Sequence, residues 1–523
     1  ANNSKIIDQW TGNSISYSDI LSQTTIERKF DKEELSSIKL KDFKDYKLIG
    51  KPLKALDNFS KVNGTAMFGI DSNLPGMLYA TVVTPPIRKG SKIVSFDDSE
   101  CKKIKGFKEI VNPNFEKNDP LSGYLIVVAN TFPEAMRAAN VLKVEWSIPD
   151  DNKVSTNDLL LESEELMKNN INGSVSYHEG NIDKSLEKAE RFESIYTTSF
   201  VAHGVLEPYN AVIGKFGDTW HLFSGTQYNS FNGLIIGGTI AAITGVKPEE
   251  VKLKIHQRLA GGGFGSRFVN ADRLALMASI KLNKPIKLIY TREAMMKDSE
   301  PRTASYNKFT AGIRDGELDA LHIEISAGSL VKRPDLNFPK DWWVKDIEGK
   351  EGVTSGAWTT EGAEHWYSVN NRKLTFYENK KLNSVVPVGA LRQIGNGYVA
   401  FALESFIDEL AYKLKKDPLD FRLSLLNNKN NEISTPWIDI DNILLRGGQP
   451  TKRKRDEGGA LRLKNVLLSV TGKAGYSLKK KEKNEGIGLA VAAQYARKSP
   501  SFNACVAEVN VNPKNGKVKV KKL

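Results

Sequence analysis

Apolar and polar positions alternate on two different periods along this chain, and the changes between them mark its parts. From Leu48 to Trp146 the pattern is strand-like. Leu78-Tyr-Ala-Thr-Val-Val, Glu109-Ile-Val and Tyr124-Leu-Ile-Val-Val-Ala read as strands, a helix is predicted from Pro133 at its first position, and Val141-Leu-Lys-Val-Glu-Trp reads as a further strand. The polar run Ser147-Ile-Pro-Asp-Asp-Asn-Lys predicts a boundary, and Ser155 with Asp158 three residues on predicts a capped helix start. Val251-Lys-Leu-Lys-Ile-His alternates as a strand, Ala260-Gly-Gly-Gly-Phe-Gly turns, Ala271 to Leu282 is helical and Pro285-Ile-Lys-Leu-Ile-Tyr is extended again, a β-loop-α-β unit. Apolar residues at 399, 403, 406, 407, 410 and 414 predict an amphipathic helix with Glu404, Asp408, Glu409 and Lys413 on its other face. Asp417-Pro418 then starts the next helix.

These elements predict an α/β protein of mixed helices and sheets in three parts: 1–47, a short strand, helix and connector; 48–148, strand-rich; and 149–523, mixed. At ~150 residues per domain, 523 residues agree with about three units. Both ends read as cut, since Val506-Ala-Glu-Val-Asn-Val, the turn Asn512-Pro-Lys-Asn-Gly and Lys517-Val-Lys-Val-Lys form a hairpin in which the chain stops.

Composition removes several functional classes. The net charge of +13 comes mostly from scattered Lys, which ranks nucleic-acid binding last. The cluster Lys452-Arg-Lys-Arg455 is followed by Asp456-Glu457, and Lys479 to Lys483 contains Glu482, so both read as solvated loops. Two cysteines, Cys101 and Cys505, cannot build a disulfide framework, a cysteine zinc site or an iron–sulfur cluster. The longest uncharged apolar stretch, Gly233 to Val246, is too short and too rich in Gly and Thr to span a bilayer.

The stretch with most chemistry in it is Gly261-Gly262-Gly263-Phe264-Gly265-Ser266-Arg267. After a strand and before a helix, successive glycines let main-chain N–H groups approach an anion such as phosphate. The spacing alone suits a ligand-free strand-to-helix turn equally well. A dinucleotide fingerprint fails, because Ser266 occupies the place of the last glycine. His203 and Glu207, four apart, could face one side of a helix as metal ligands, but a structural pair is the better reading without a H-E-x-x-H motif. Trp342, Trp343, Trp358 and Trp366 read as a small satellite core, with a wall for an apolar substrate as the rival.

In combination, further segments resemble the molybdopterin-binding large subunits of the xanthine oxidase and aldehyde oxidase family, specifically the isoquinoline 1-oxidoreductase β-subunit type. Ile49-Gly-Lys-Pro-Leu, Phe68-Gly-Ile-Asp71 and Leu74-Pro-Gly-Met-Leu-Tyr79 resemble the family's α/β hammerhead opening. Ala202-His-Gly-Val-Leu-Glu-Pro208 resembles its H-x-x-x-E-P segment, Gly225-Thr-Gln227 its T-Q segment, and Gly261 to Arg267 its cofactor loop. Pro387-Val-Gly-Ala-Leu-Arg392-Gln-Ile-Gly395 and Phe401 to Arg422 complete the match.

The resemblance implies a molybdopterin, in its cytosine dinucleotide form, held with molybdenum by Gly261, Gly262, Gly263, Phe264, Gly265, Ser266 and Arg267. By the family pattern Gln227 hydrogen-bonds an oxo ligand of the metal and Arg392 lies beside it from a second loop, with no side-chain metal ligand. The implied reaction is hydroxylation of an aldehyde or N-heterocycle with oxygen from water. Electrons would pass to a separate 2Fe–2S subunit, and a c-type cytochrome is a further implied partner. By the same resemblance the location is periplasmic or membrane-associated, with the export signal outside this chain. Two family segments do not occur here, a Gly-x-Gly-Glu carrying the general base and a Met-Gly-Gln-Gly loop. Their absence keeps open a rival reading, a catalytically inactive, cofactor-free scaffold of the same fold.

Overall fold

A computed structural model describes residues 4–25, 27–113, 121, 123–171, 173–267, 270–330, 358–363, 365–427, 434–438, 452–454, 459–478, 482–496 and 499–523. The chain forms two compact units, Ala1–Ala66 and Met67–Leu523. The first is built from local devices. A hairpin pairs Lys5–Ile7 with Ser14–Ser16, and the helices Tyr17–Gln23 and Lys32–Ser37 open on capping boxes, Ser16 with Asp19 and Asp31 with Glu34. None of the described residues of these elements is buried, so capping rather than a core specifies them.

In the second unit a seven-stranded mixed sheet runs in the order 252–257, 219–224, 210–216, 286–289, 78–83, 125–129, 107–111. Strands from both sides of position 148 therefore share one sheet. Lys252–Gln257 and Ile286–Ile289 point the same way with two strands between them, so the predicted β-loop-α-β unit is a crossover spanning the middle of the sheet. Its helix, Asn270–Leu282, buries Leu274, Ala275, Leu276, Met277 and Ala278 against Ala211, Ile213, Leu222, Ile286 and Leu288. At about 25 cal/mol per Å2 of apolar area, such a contact holds the crossover firmly on the sheet.

A five-stranded sheet follows, ordered 173–179, 371–378, 317–327, 305–314, 190–198. Helix Asn396–Lys413 lies on it through Val399, Leu403, Phe406, Ile407 and Leu410, as the periodicity predicts. Its other face differs from expectation at Glu404, which is buried. The cause is Arg422, fully buried, whose Nε contacts Glu404 at 2.9 Å while its Nη1 reaches Asp408 at 2.6 Å. Glu404 also accepts from the Tyr367 hydroxyl at 2.7 Å and the Val491 N–H at 2.9 Å. A buried charge persists only when so surrounded, and here it pins the helix that begins four residues after Arg392.

Helix Phe132–Val141 is capped by Thr131, which puts Pro133 at the second helical position rather than the first. Ser155 and Asp158 form the expected capping box. Trp366 is buried in the core of the five-stranded sheet and meets Phe502 edge-on at 5.5 Å. Trp342, Trp343, Arg455 and Lys479 lie outside the described residues. Strands Ser499–Val511 and Val518–Lys522 pair antiparallel as the terminal hairpin requires.

Candidate functional site

The site grows out of a parallel strand pair. Thr219–Ser224 and Lys252–Gln257 run side by side with Ser224 opposite Gln257, so the chain leaves the sheet at the same end from both. The carboxyl end of parallel strands is where open α/β sheets place ligands. From one strand emerges Gly225-Thr226-Gln227, from the other Arg258 to Arg267. The Arg258 N–H donates to Ser224 O at 2.9 Å and the Gln227 N–H to Arg267 O at 3.2 Å, which laces the two segments together.

Gln227 organises the front of the turn. Its Oε1 accepts from the Gly265 N–H at 3.0 Å and from the Arg267 N–H at 3.4 Å. Two donors on one atom fix which end of the amide is oxygen. Its nitrogen therefore faces the opposite way, with no partner among the described residues.

Glu207 and Arg267 organise the back. The carboxylate accepts from the Gly261 N–H at 2.7 Å, the Ile70 N–H at 2.9 Å and Asn210 Nδ2 at 2.9 Å, and pairs with Arg267 Nη2 at 2.9 Å. Arg267 in turn donates to Glu207 O at 2.7 Å and to Gly262 O. Sequence reasoning put Arg267 in the turn but missed this role for Glu207. The segment 203–207 is not helical, so His203 and Glu207 share no helix face, and Glu207 has no capacity left for a metal. Among the described residues no cluster of three or more His, Cys, Asp or Glu could hold a metal ion.

The glycines have a reason different from the predicted one. A Cβ on Gly261 would lie 2.4 Å from Glu207 Cβ, on Gly263 2.4 Å from Gln227 Oε1, and on Gly265 1.9 Å from Ala390 O. At these three positions bareness admits neighbouring protein. The turn also holds Gly262, Phe264 and Gly265 at φ of +91°, +54° and +102°, the left-handed region that is costly for Phe264. Among its amides, those of Gly261 and Gly265 are bonded to Glu207 and Gln227, and that of Ser266 to Gly263 O at 2.9 Å. The N–H groups of Gly262, Gly263 and Phe264 have no partner among the described residues.

The second loop closes on this turn. The Arg392 N–H donates to Phe264 O at 2.8 Å, and Gly389 is tied to Pro301 O at 2.8 Å. Gln393 and Ile394 follow with φ of +71° and +39°, so strain collects where the two loops meet. The Arg392 side chain is exposed and has no acidic partner among the described residues. All the residues singled out from the sequence, Gln227, Gly261 to Arg267 and Arg392, thus stand together.

Two buried titratable groups border the turn. His203, 5% exposed, shares a 3.1 Å hydrogen bond between Nδ1 and Ser299 Oγ, while its Nε2 has no partner. Burial pushes its pKa down to about 4, and Arg302 adds to the fall while Glu300 opposes it. Asp272, in the first turn of helix Asn270–Leu282, is pushed up to about 7 by burial, against hydrogen bonds from Asn232 at 2.5 Å and Ser224 at 3.1 Å and the nearby Arg267. A cavity of about 30 Å3 is lined by Asp272 together with Asn210, Ser224 and Ser266.

The donor set fits an anionic pterin. Three successive amides, an outward carboxamide N–H2 and a guanidinium, all without partners among the described residues, offer dense positive potential, while the Glu207 carboxylate behind the turn is offset by Arg267. The orphaned, buried Nε2 of His203 lies 3.7 Å from where a Cβ on Gly265 would stand.

The chain is also similar to known proteins. Residues 163–330 match the family described as the molybdopterin cofactor-binding domain. The chain is 31% identical, over 98% of its length and 63% of the relative's, to the membrane-bound aldehyde dehydrogenase [pyrroloquinoline-quinone] of Gluconacetobacter polyoxogenes. It is 30% identical, over 75% of its length and 48% of the relative's, to isoquinoline 1-oxidoreductase subunit beta of Brevundimonas diminuta. In fold it is similar to quinoline 2-oxidoreductase of Pseudomonas putida 86, with a TM-score of 0.60 at 17% identity over 90% of this chain and 61% of that one. Aldehyde oxidoreductase of Desulfovibrio gigas gives a TM-score of 0.58 at 17% identity, over 89% and 51%. The chain spans less than two thirds of the length of each of these proteins. The matched domain and these relatives make the chain similar to the molybdopterin-binding large subunits of the xanthine oxidase family, and the solved structures share its fold.

Proposed function

We propose that the protein is the molybdenum-cofactor-binding part of an oxidoreductase that hydroxylates aldehydes or N-heteroaromatic compounds with water as the oxygen source. The observation that carries this reading is the meeting of Gln227, the three free amides of Gly262, Gly263 and Phe264, and Arg392 at one sheet end. When bound, the molybdenum–pterin group supplies the two-electron oxidation chemistry that no side chain here has. The chain's own residues bind and orient it. The free amides would hold its anionic atoms, the Gln227 carboxamide nitrogen would donate to an oxo group, and Arg392 would add positive charge. Gly261, Ser266 and Arg267 act from behind, as the frame of the turn.

Glu207, saturated by four donors, is not free to act as a base. The finer assignments follow the family: a cytosine dinucleotide cofactor, a 2Fe–2S partner subunit, a c-type cytochrome as a further acceptor, and a periplasmic or membrane-associated location. Among the described residues no helix is long and apolar enough to cross a membrane.

The test is elemental and nucleotide analysis of the native complex. About one molybdenum per chain and release of a cytosine nucleotide on acid hydrolysis are expected. Redox quinone in place of molybdenum would overturn the reading.

A further inference from the structure

The second loop does not hold itself. Among its main-chain groups the Arg392 carbonyl has an unusual partner, Nη2 of Arg302, at 2.6 Å. The backbone of Arg302 is itself fixed, since its N–H donates to Val201 O at 2.9 Å and its carbonyl accepts from the Val201 N–H at 3.2 Å. The guanidinium has no carboxylate in ion-pair range among the described residues, and its buried Nε has no partner. Holding even a half-buried cation there without a counter-charge has a cost. An ion pair cannot be its purpose.

Room for it comes from Gly397, in the first turn of helix Asn396–Lys413. A Cβ there would lie 2.4 Å from Arg302 Cζ and 2.4 Å from Nη1. The φ of Gly397 is not in the left-handed region, so the backbone does not require glycine, and alanine is the better helix former. What requires a bare position is the guanidinium beside it.

We infer that Arg302 is a positioning residue for Arg392, clamping its carbonyl so that the Arg392 side chain is presented beside the glycine turn. Arg392 is then gripped from both main-chain sides: its N–H by Phe264 and its carbonyl by Arg302. The strained pair Gln393 and Ile394 follows immediately, and it persists because the residue ahead of it is held at two points. What Arg392 serves rests on the molybdopterin reading. How it is held does not.

The test uses the full chain in its native complex, with R302M, R302K, G397A, R392A and the R302M/R392A pair. The first readout is hydrogen exchange at the Arg392 amide, which does not depend on cofactor or turnover. R302M is expected to speed it about tenfold, the effect of one lost hydrogen bond. R302K, which keeps one donor for one carbonyl, restores it. G397A mimics R302M by displacing the guanidinium while leaving both arginines in the sequence. The second readout is kcat/KM. R302M lowers it about tenfold in the wild-type background and leaves it unchanged when Arg392 is already alanine. Unaltered exchange in both R302M and G397A would overturn the inference, as would equal losses with and without Arg392. If the native complex proves free of molybdenum, the proposed function falls and the exchange measurement alone decides this inference.

Discussion

Glu207 and Arg267 form an ion pair of 2.9 Å with both side chains at least nine-tenths buried, and the pair stands directly behind the glycine turn. Removing the charge from one partner strands the other in a site that excludes water. E207Q is expected to destabilise the second unit by roughly 3–5 kcal/mol, the usual cost of breaking a buried pair. Urea unfolding followed by tryptophan fluorescence measures it, and a loss below about 1 kcal/mol would mean that the turn is carried by its backbone bonds instead.

Gly265 is where the two loops touch most closely. With φ at +102° and Ala390 O 1.9 Å from an added Cβ, G265A must push the loops apart. The folded core lies elsewhere, around Leu274 and Ile286, so the expected outcome is a protein of near-normal melting temperature whose Arg392 amide exchanges freely and which retains little molybdenum. Normal metal content in G265A would contradict the placement of the cofactor at this join.

How much of this was legible in advance depends on how local its cause is. The strand at 78–83, the capped helix at 156–168 and the helix over 396–413 rest on period and capping, which neighbouring residues determine. The glycine turn was legible as a place. Its reason was not, because the groups that need the glycines bare, Glu207, Gln227 and Ala390, come from segments 36 to more than 100 residues away. Glu404 was read as solvent-facing for the same cause: only Arg422, on another helix, makes its burial tolerable. The family pattern brought Arg392 to the turn where periodicity could not, and Arg302 carried no signal beyond being a lone arginine after a proline.

Asp272 gives the site a pH dependence of defined sign. Its pKa in the folded protein is about 7, against 3.8 for an ordinary aspartate. Between those values the folded state keeps a proton that the unfolded chain has released, so this group's contribution to stability falls as pH rises through the window and is flat above it. D272N keeps an oxygen for Ser224 and Asn232 and carries no charge. Relative to wild type it should therefore gain on the order of a few kcal/mol between pH 5 and pH 8, read from urea midpoints at the two pH values. A difference that stays constant with pH would mean the carboxyl is ionised throughout.

Gln227 separates framing from binding within one side chain. Its oxygen serves the turn through Gly265 and Arg267, whereas its nitrogen has nothing to donate to within the described protein. Q227E keeps the accepting oxygen and replaces the outward donor with a second acceptor carrying negative charge. Its stability should match wild type to within about 0.5 kcal/mol, while its hold on an anionic cofactor weakens sharply through repulsion and a lost donor. Q227L loses both ends, so it should also lower stability, by about 1–2 kcal/mol for two hydrogen bonds made at a half-open site. Unfolding midpoints and molybdenum content of the two variants, measured side by side, distinguish the roles. If Q227E retains its metal as fully as wild type, the outward nitrogen has no part in binding, and the amides of Gly262, Gly263 and Phe264 must carry the cofactor with Arg392 alone.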